Sequence, residues 1–333
     1  MRPVQATVRL RSAAVGGSCV AAAAALLAAA GAAAEGRSTP AATPQQVAAV
    51  ALEDVDRVAI LRGPPWRVAR RVTLPAGPHN VAVSPDGAFF AVTSPPADAV
   101  TLVGAGSGAV VRTVRLAGAP HDVAFGAGGR TLWIAAERAA LLVQVAVPSG
   151  RVLRRLRTGG DPHDLALDPR RDELWVTIDG SSRVEVRRGA SGALVARPPL
   201  GGAPHDLAVA PDGGTIWLSN WSSGELTVVS TASRRPIARL RAGGEPHHFA
   251  FGLGSLWISD NAAGELVRAS PGRRAIAGRT PVGPAPHHVA VAGSVVLVAV
   301  HGAGRVAVVS RQGRVIASIA VGAGPHGIAA ARG

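Results

Sequence analysis

Residues Pro204–Asn220 read PHDLAVAPDGGTIWLSN. A short apolar run follows the Pro-His pair. A Pro-Asp-Gly-Gly turn comes next, with Pro pre-setting φ and Gly taking the position that other side chains resist. A second apolar run then ends in polar residues. Downstream, ELTVVST and RPIARLRAG supply two more short runs. None of the four carries a sustained helical period, so the unit is four short antiparallel strands.

The unit repeats. Pro-His recurs at His79, His121, His163, His205, His247, His287 and His326, at intervals of 42, 42, 42, 42, 40 and 39 residues. Trp133, Trp175, Trp217 and Trp257 keep the same step, and Phe90 and Leu297 are expected in that place in the first and sixth repeats. Four strands every forty-odd residues specify the blade of a β-propeller. Six complete units run from His79 to Gly324. After His326 only one strand's worth of sequence remains, GIAAARG. Before His79 lie QVAAVAL, RVAIL and RVARRVTL, which match strands two to four. One C-terminal plus three N-terminal strands make a seventh blade and leave no open sheet edge between the chain ends. The expectation is an all-β, seven-bladed propeller over residues 47–333.

The first 34 residues read as a secretory leader. Arg2, Arg9 and Arg11 precede the run CVAAAAALLAAA, and Ala32-Ala33-Ala34 forms a cleavage site. A retained anchor is the alternative. Residues 35–46 read as a Pro/Thr linker. Removing the leader's three arginines and no acids lowers the formal charge from +14 to +11. Cys19 is the single cysteine, so the mature chain needs no disulfide. A secreted or cell-envelope location follows, with no inserted segment once the leader is removed, and a monomer is expected. All 35 basic residues are Arg. Their clusters, such as VLRRLR, fall on fourth strands, where charge discourages edge pairing. Spread around a rim with only 3% aromatic residues, they do not form a nucleic-acid site. An anionic envelope polymer or an envelope protein is a compatible partner.

First strands line a propeller's channel, so the seven histidines are expected as a ring at one mouth. Two explanations of the ring are open. In one, Pro fixes each turn while His caps it through backbone hydrogen bonds, a repeated scaffold job. Alternatively the imidazoles converge on a metal ion or small ligand. Trp221 in NWSSGE is expected beside the mouth as a ligand platform. The residue two before each His is Gly77, Ala119, Asp161, Ala203, Glu245, Ala285 or Gly324. Only Asp161 and Glu245 are acids. Glu245 with His247 and Asp260, and more weakly Asp161 with His163 and Asp179, are therefore candidate sites.

PHNVAVSPDG followed by AFFAVTS, and PHDLAVAPDG followed by TIWLSN, resemble the YVTN-type propeller repeat over essentially the whole mature chain. The Glu245-x-His247 pair also looks like the site of the virginiamycin B lyases, themselves seven-bladed propellers. That resemblance implies Glu245 and Asp260 as ligands of Mg²⁺, His247 as the base of a C–O elimination, His205 assisting, and His287 where that family has Tyr. This chain has no Tyr. The sequence therefore predicts a binding propeller whose His-lined mouth takes a small ligand, a metal ion such as Zn²⁺ or a partner segment. A Mg²⁺-dependent lyase and a pure interaction scaffold are the alternatives.

Overall fold

The computed structural model describes residues 45–331; the leader expected at residues 1–34 and most of the linker lie outside them. Seven four-stranded antiparallel sheets make up the described chain. We number the blades 1 to 7 from the sheet that follows His79. Blade 7 is the seam: Pro325–Ala331 is its innermost strand, followed by Gln46–Leu52, Arg57–Gly63 and Arg67–Thr73. Val47 pairs with Ala331 and Leu52 with Pro325. The closure expected from the strand count is the one observed.

Alternation along the strands builds the interior. Second strands are buried almost end to end, and Trp133, Trp175, Trp217 and Trp257 lie wholly inside, wedged between neighbouring blades. Burial of such a ring is worth about 2–3 kcal/mol each. Trp133 Nε1 donates to Gly189 O at 2.7 Å and Trp257 Nε1 to Gly252 O at 3.1 Å. Leu297 takes the tryptophan register in blade 6, opposite Ala290. In blade 1 the register corrects the sequence expectation. Ala91, opposite Ala82, holds that place, and Phe90 sits one residue earlier and packs toward the seam blade. The chain keeps the hydrophobic volume by moving it across the pleat. Fourth strands such as Val152–Arg157 are mostly exposed and carry the arginines, as charge at an outer edge requires.

One glycine belongs to the closure alone. A Cβ on Gly327 would sit 2.4 Å from His79 O. Its amide donates to that same oxygen at 2.9 Å, joining the last strand of the chain to the first blade.

Candidate functional site

Each blade enters the channel wall through its Pro-His turn, and the seven imidazoles close into a circle at one mouth. Successive ring centroids are separated by 4.8 Å (His79–His121), 3.8 Å (His121–His163), 4.4 Å (His163–His205), 4.9 Å (His205–His247), 4.8 Å (His247–His287), 4.3 Å (His287–His326) and 3.8 Å (His326–His79). They line a cavity of about 240 Å³ together with Trp221. Trp221 is 42% exposed and stacks on His205 at 4.8 Å.

The scaffold work falls to main chain and hydroxyls. Thr93 Oγ1 donates to His121 O at 2.9 Å, Ser219 Oγ to His247 O at 3.3 Å, and Ser259 Oγ to His287 O. The imidazoles do little capping. Among the described residues His121 Nδ1 is the one ring nitrogen that meets a backbone carbonyl, His163 O at 3.3 Å. Nδ1 of His205, His247, His287 and His326 is buried and makes no hydrogen bond among the described residues. His79 Nε2 faces His121 Nε2 at 3.1 Å, so one of the two carries the proton.

Beneath the ring lies a second layer, formed by the residue after each histidine: Asn80, Asp122, Asp164, Asp206, His248, His288 and Gly327. Most of these side chains tie one blade to the next. Asp122 Oδ2 accepts the Leu165 amide at 2.9 Å, Asp206 Oδ2 the Phe249 amide at 3.0 Å, and His248 Nδ1 the Val289 amide at 3.5 Å. Asp164 departs from the pattern. The amide it would reach, Leu207 N, is bonded instead to Asp206 Oδ1 at 2.6 Å. Asp164 Oδ2 turns up to the ring, 2.8 Å from His163 Nδ1 and 3.7 Å from His205 Nδ1.

That turn sets the charge distribution. Burial pushes His163 down, but the charge and hydrogen bond of Asp164, helped by Glu137 and Asp179 at the rim, outweigh it and raise the imidazole to about 9. Burial pushes Asp164 up, but the contacts with His163 and the nearby histidines hold it well below the usual carboxylate range. Burial and neighbouring imidazoles keep His121, His247 and His326 well below their usual range, and His287 near 4. His205 is lowered by burial, with Asp164 opposing. Burial and the Asp164 charge raise Asp122 to about 8 and Asp206 well above the normal range. The mouth thus holds the His163–Asp164 ion pair within an array of largely neutral imidazoles.

An outer ring stands at the rim. Register places it one residue past the second strands: Glu53, Pro95, Glu137, Asp179, Trp221, Asn261 and His301. Five of these donate their amide to the residue two before the ring histidine, as in Asp179 N to Asp161 O at 2.8 Å and Glu53 N to Gly324 O at 2.8 Å. Asp161 and Asp179 are both exposed on the rim beside His163.

The carboxylate pair expected at Glu245 and Asp260 is put to another use. Asp260 ends its strand fully buried and points beneath its own loop. Its Oδ1 accepts the Glu245 amide at 2.9 Å and the Ala263 amide at 3.1 Å, and Arg279 Nη1 lies 3.8 Å from Oδ2. Gly244 leaves room for it, since a Cβ there would fall 1.9 Å from Oδ1. The pair and His247 do not gather at metal-binding distance; among the described residues the groups that do are Glu53–His79–His326 and His121–His163–Asp164. His205, His247 and His287, in the order the lyase resemblance requires, are ring neighbours without that carboxylate pair.

A seven-bladed propeller with an imidazole-lined mouth is the class these features define. The chain belongs to the YNCE-like beta-propeller family, whose model matches residues 7–332. No curated protein sequence matches it. Among solved structures, a functionally unknown protein from Desulfotomaculum acetoxidans is similar with a TM-score of 0.76 at 12% identity, over 86% of this chain and 99% of that one. A putative 6-phosphogluconolactonase from Bacteroides uniformis gives 0.73 at 15%, over 86% and 100%. A catalytically inactive virginiamycin B lyase from Staphylococcus aureus, with quinupristin, gives 0.64 at 13%, over 81% and 87%. At these identities the likeness is one of fold.

Proposed function

We propose that the protein is an extracytoplasmic, monomeric binding propeller that captures a divalent transition-metal ion, Zn²⁺ or a neighbour such as Cu²⁺ or Ni²⁺, on its histidine ring. The observation that carries this is the closed circle of seven imidazoles, four of which bury an Nδ1 that makes no hydrogen bond among the described residues. A scaffold role accounts for the prolines, the hydroxyls and the histidine main chain. It leaves the imidazoles unexplained. Neutral imidazole is the form that ligates, and burial keeps most of the ring in that form. Tetrahedral Zn²⁺ with bonds of about 2.0–2.1 Å sets its ligand atoms about 3.3 Å apart, close to the 3.1 Å between His79 Nε2 and His121 Nε2. Nitrogen donors favour Zn²⁺, Cu²⁺ or Ni²⁺ over Mg²⁺, which seeks oxygen. The leader read from residues 1–34 supports export.

Competition against a chromophoric chelator tests the proposal, using tag-free mature protein. Zn²⁺ should bind stoichiometrically, and a His79→Gln, His121→Gln double variant, which removes the pair set at ligand spacing, should bind it more weakly. Wild type that leaves all Zn²⁺ on the chelator would contradict the proposal.

A further inference from the structure

Three segments from distant parts of the chain meet at the seam. Glu53 follows the first strand of the chain, His79 opens blade 1, and His326 opens the last strand. Glu53 Oε1 lies 3.4 Å from His79 Nδ1. That is longer than a charge-assisted hydrogen bond of about 2.7–2.9 Å and close to the spacing of two ligands on one tetrahedral ion. The His79 and His326 rings stack at 3.8 Å, and the three residues bring ligand atoms within 4.8 Å of one another. His326 Nδ1 is buried and makes no hydrogen bond among the described residues. Backbone bonds fix the arrangement: Glu53 N donates to Gly324 O at 2.8 Å, and Gly327 N to His79 O at 2.9 Å. Glu53, one-third exposed, gives the site an opening to solvent. No arginine pairs with it among the described residues.

We propose that Glu53, His79 and His326 form a divalent transition-metal site that straddles the seam, so that the bound ion clips the two ends of the chain together. The proposal rests on the ring's capacity for such an ion and names a seat for it. One carboxylate oxygen and two imidazole nitrogens fill three tetrahedral positions and leave the fourth to solvent or a small ligand. His79 can serve through Nδ1 while Nε2 stays turned to His121. The three residues reach one point only when the ring is closed, so binding favours the closed ring by mass action. Glu53 holds the N-terminal strand and His326 the C-terminal one; the other blades have both ends on one continuous segment and gain no such clip.

The test is hydrogen exchange by mass spectrometry, with Zn²⁺ titrated into wild type and Glu53→Gln, a near-isosteric change at a partly exposed position. In wild type, Zn²⁺ should slow exchange selectively in Gln46–Leu52 and Pro325–Ala331 and raise the melting temperature. In Glu53→Gln the seam protection should disappear and Zn²⁺ affinity should fall by at least the roughly 10–100-fold seen on loss of even an outer-shell partner. Chelator-treated wild type and variant should melt alike, which separates loss of the ion from a folding defect. If Zn²⁺ binds both proteins equally and protects no strand of the seam preferentially, the seam site is overturned and the ring proposal stands. If Zn²⁺ does not bind wild type at all, both fall.

Discussion

Replacing Asp164 with Asn should uncouple the His163–Asp164 ion pair in the mouth. In the metal-free protein His163 is raised to about 9 against an ordinary 6.5, a difference that corresponds to about 3 kcal/mol of preference for the charged imidazole. The His163 side chain is only 13% exposed, so solvent screens little of this. Asparagine keeps the shape and removes the charge. Burial and the flanking imidazoles then act unopposed, and His163 should titrate below 6.5. The sign of the stability effect follows from linkage. A histidine raised on folding contributes fully below pH 6.5, and the contribution is lost as pH rises through 9. Wild type should therefore exceed Asp164→Asn by about 3 kcal/mol near pH 6, and the gap should close by pH 10, where Asp164 is left a buried carboxylate without its cation. Two-dimensional NMR of ¹⁵N-histidine-labelled protein in chelator reads the titration, and urea melts at pH 6 and pH 10 read the stability. A His163 that still titrates near 9 in the variant, or a gap unchanged between the two pH values, would refute the reasoning.

Other outcomes follow from the layer beneath and from the seam. Asp122 is raised to about 8, so the native state favours its neutral form and loses stability as pH climbs from 3.8 toward 8; in Asp122→Asn that slope in urea-melt stability should flatten. Glu245→Ala should change stability by no more than about 0.5 kcal/mol, whereas Asp260→Ala, which strands two loop amides, should cost about 1–3 kcal/mol; equal melting temperatures for the two variants would contradict the assignment of Asp260 to its loop. Deleting residues 325–333 removes the inner strand of blade 7 and should lower the melting temperature clearly, and a deletion that melts like wild type would count against the closure.

Most of the fold is legible in the residues because the Pro-His step recurs in every blade and a buried tryptophan in four of them, and the leftover strands at the two ends count the seventh blade. The ring itself follows from the same step. Its chemistry does not. The residue after each histidine varies, as Asn, Asp, Asp, Asp, His, His and Gly, and polar residues there interrupt an otherwise apolar strand. That interruption is the signal of the second layer. Nothing in the sequence distinguishes Asp164 from Asp122 and Asp206, because the difference is which amide each carboxylate reaches. Glu53 was hidden because its half of blade 7 has no Pro-His pair to mark it. Glu245 and Asp260 seemed to converge because both are acids near one mouth. The Gly243-Gly244 pair marks the space Asp260 fills beneath the loop, where a side chain on Gly244 would collide with it.

The central claim is that the imidazole ring holds a transition-metal ion, and a crystal of the mature protein grown with equimolar Zn²⁺ tests it most directly. Anomalous difference maps collected on either side of the zinc edge should show a peak in the mouth, about 2.0–2.1 Å from imidazole nitrogens of the ring. A fully zinc-loaded crystal whose only anomalous peaks lie on surface carboxylates or between molecules would contradict it.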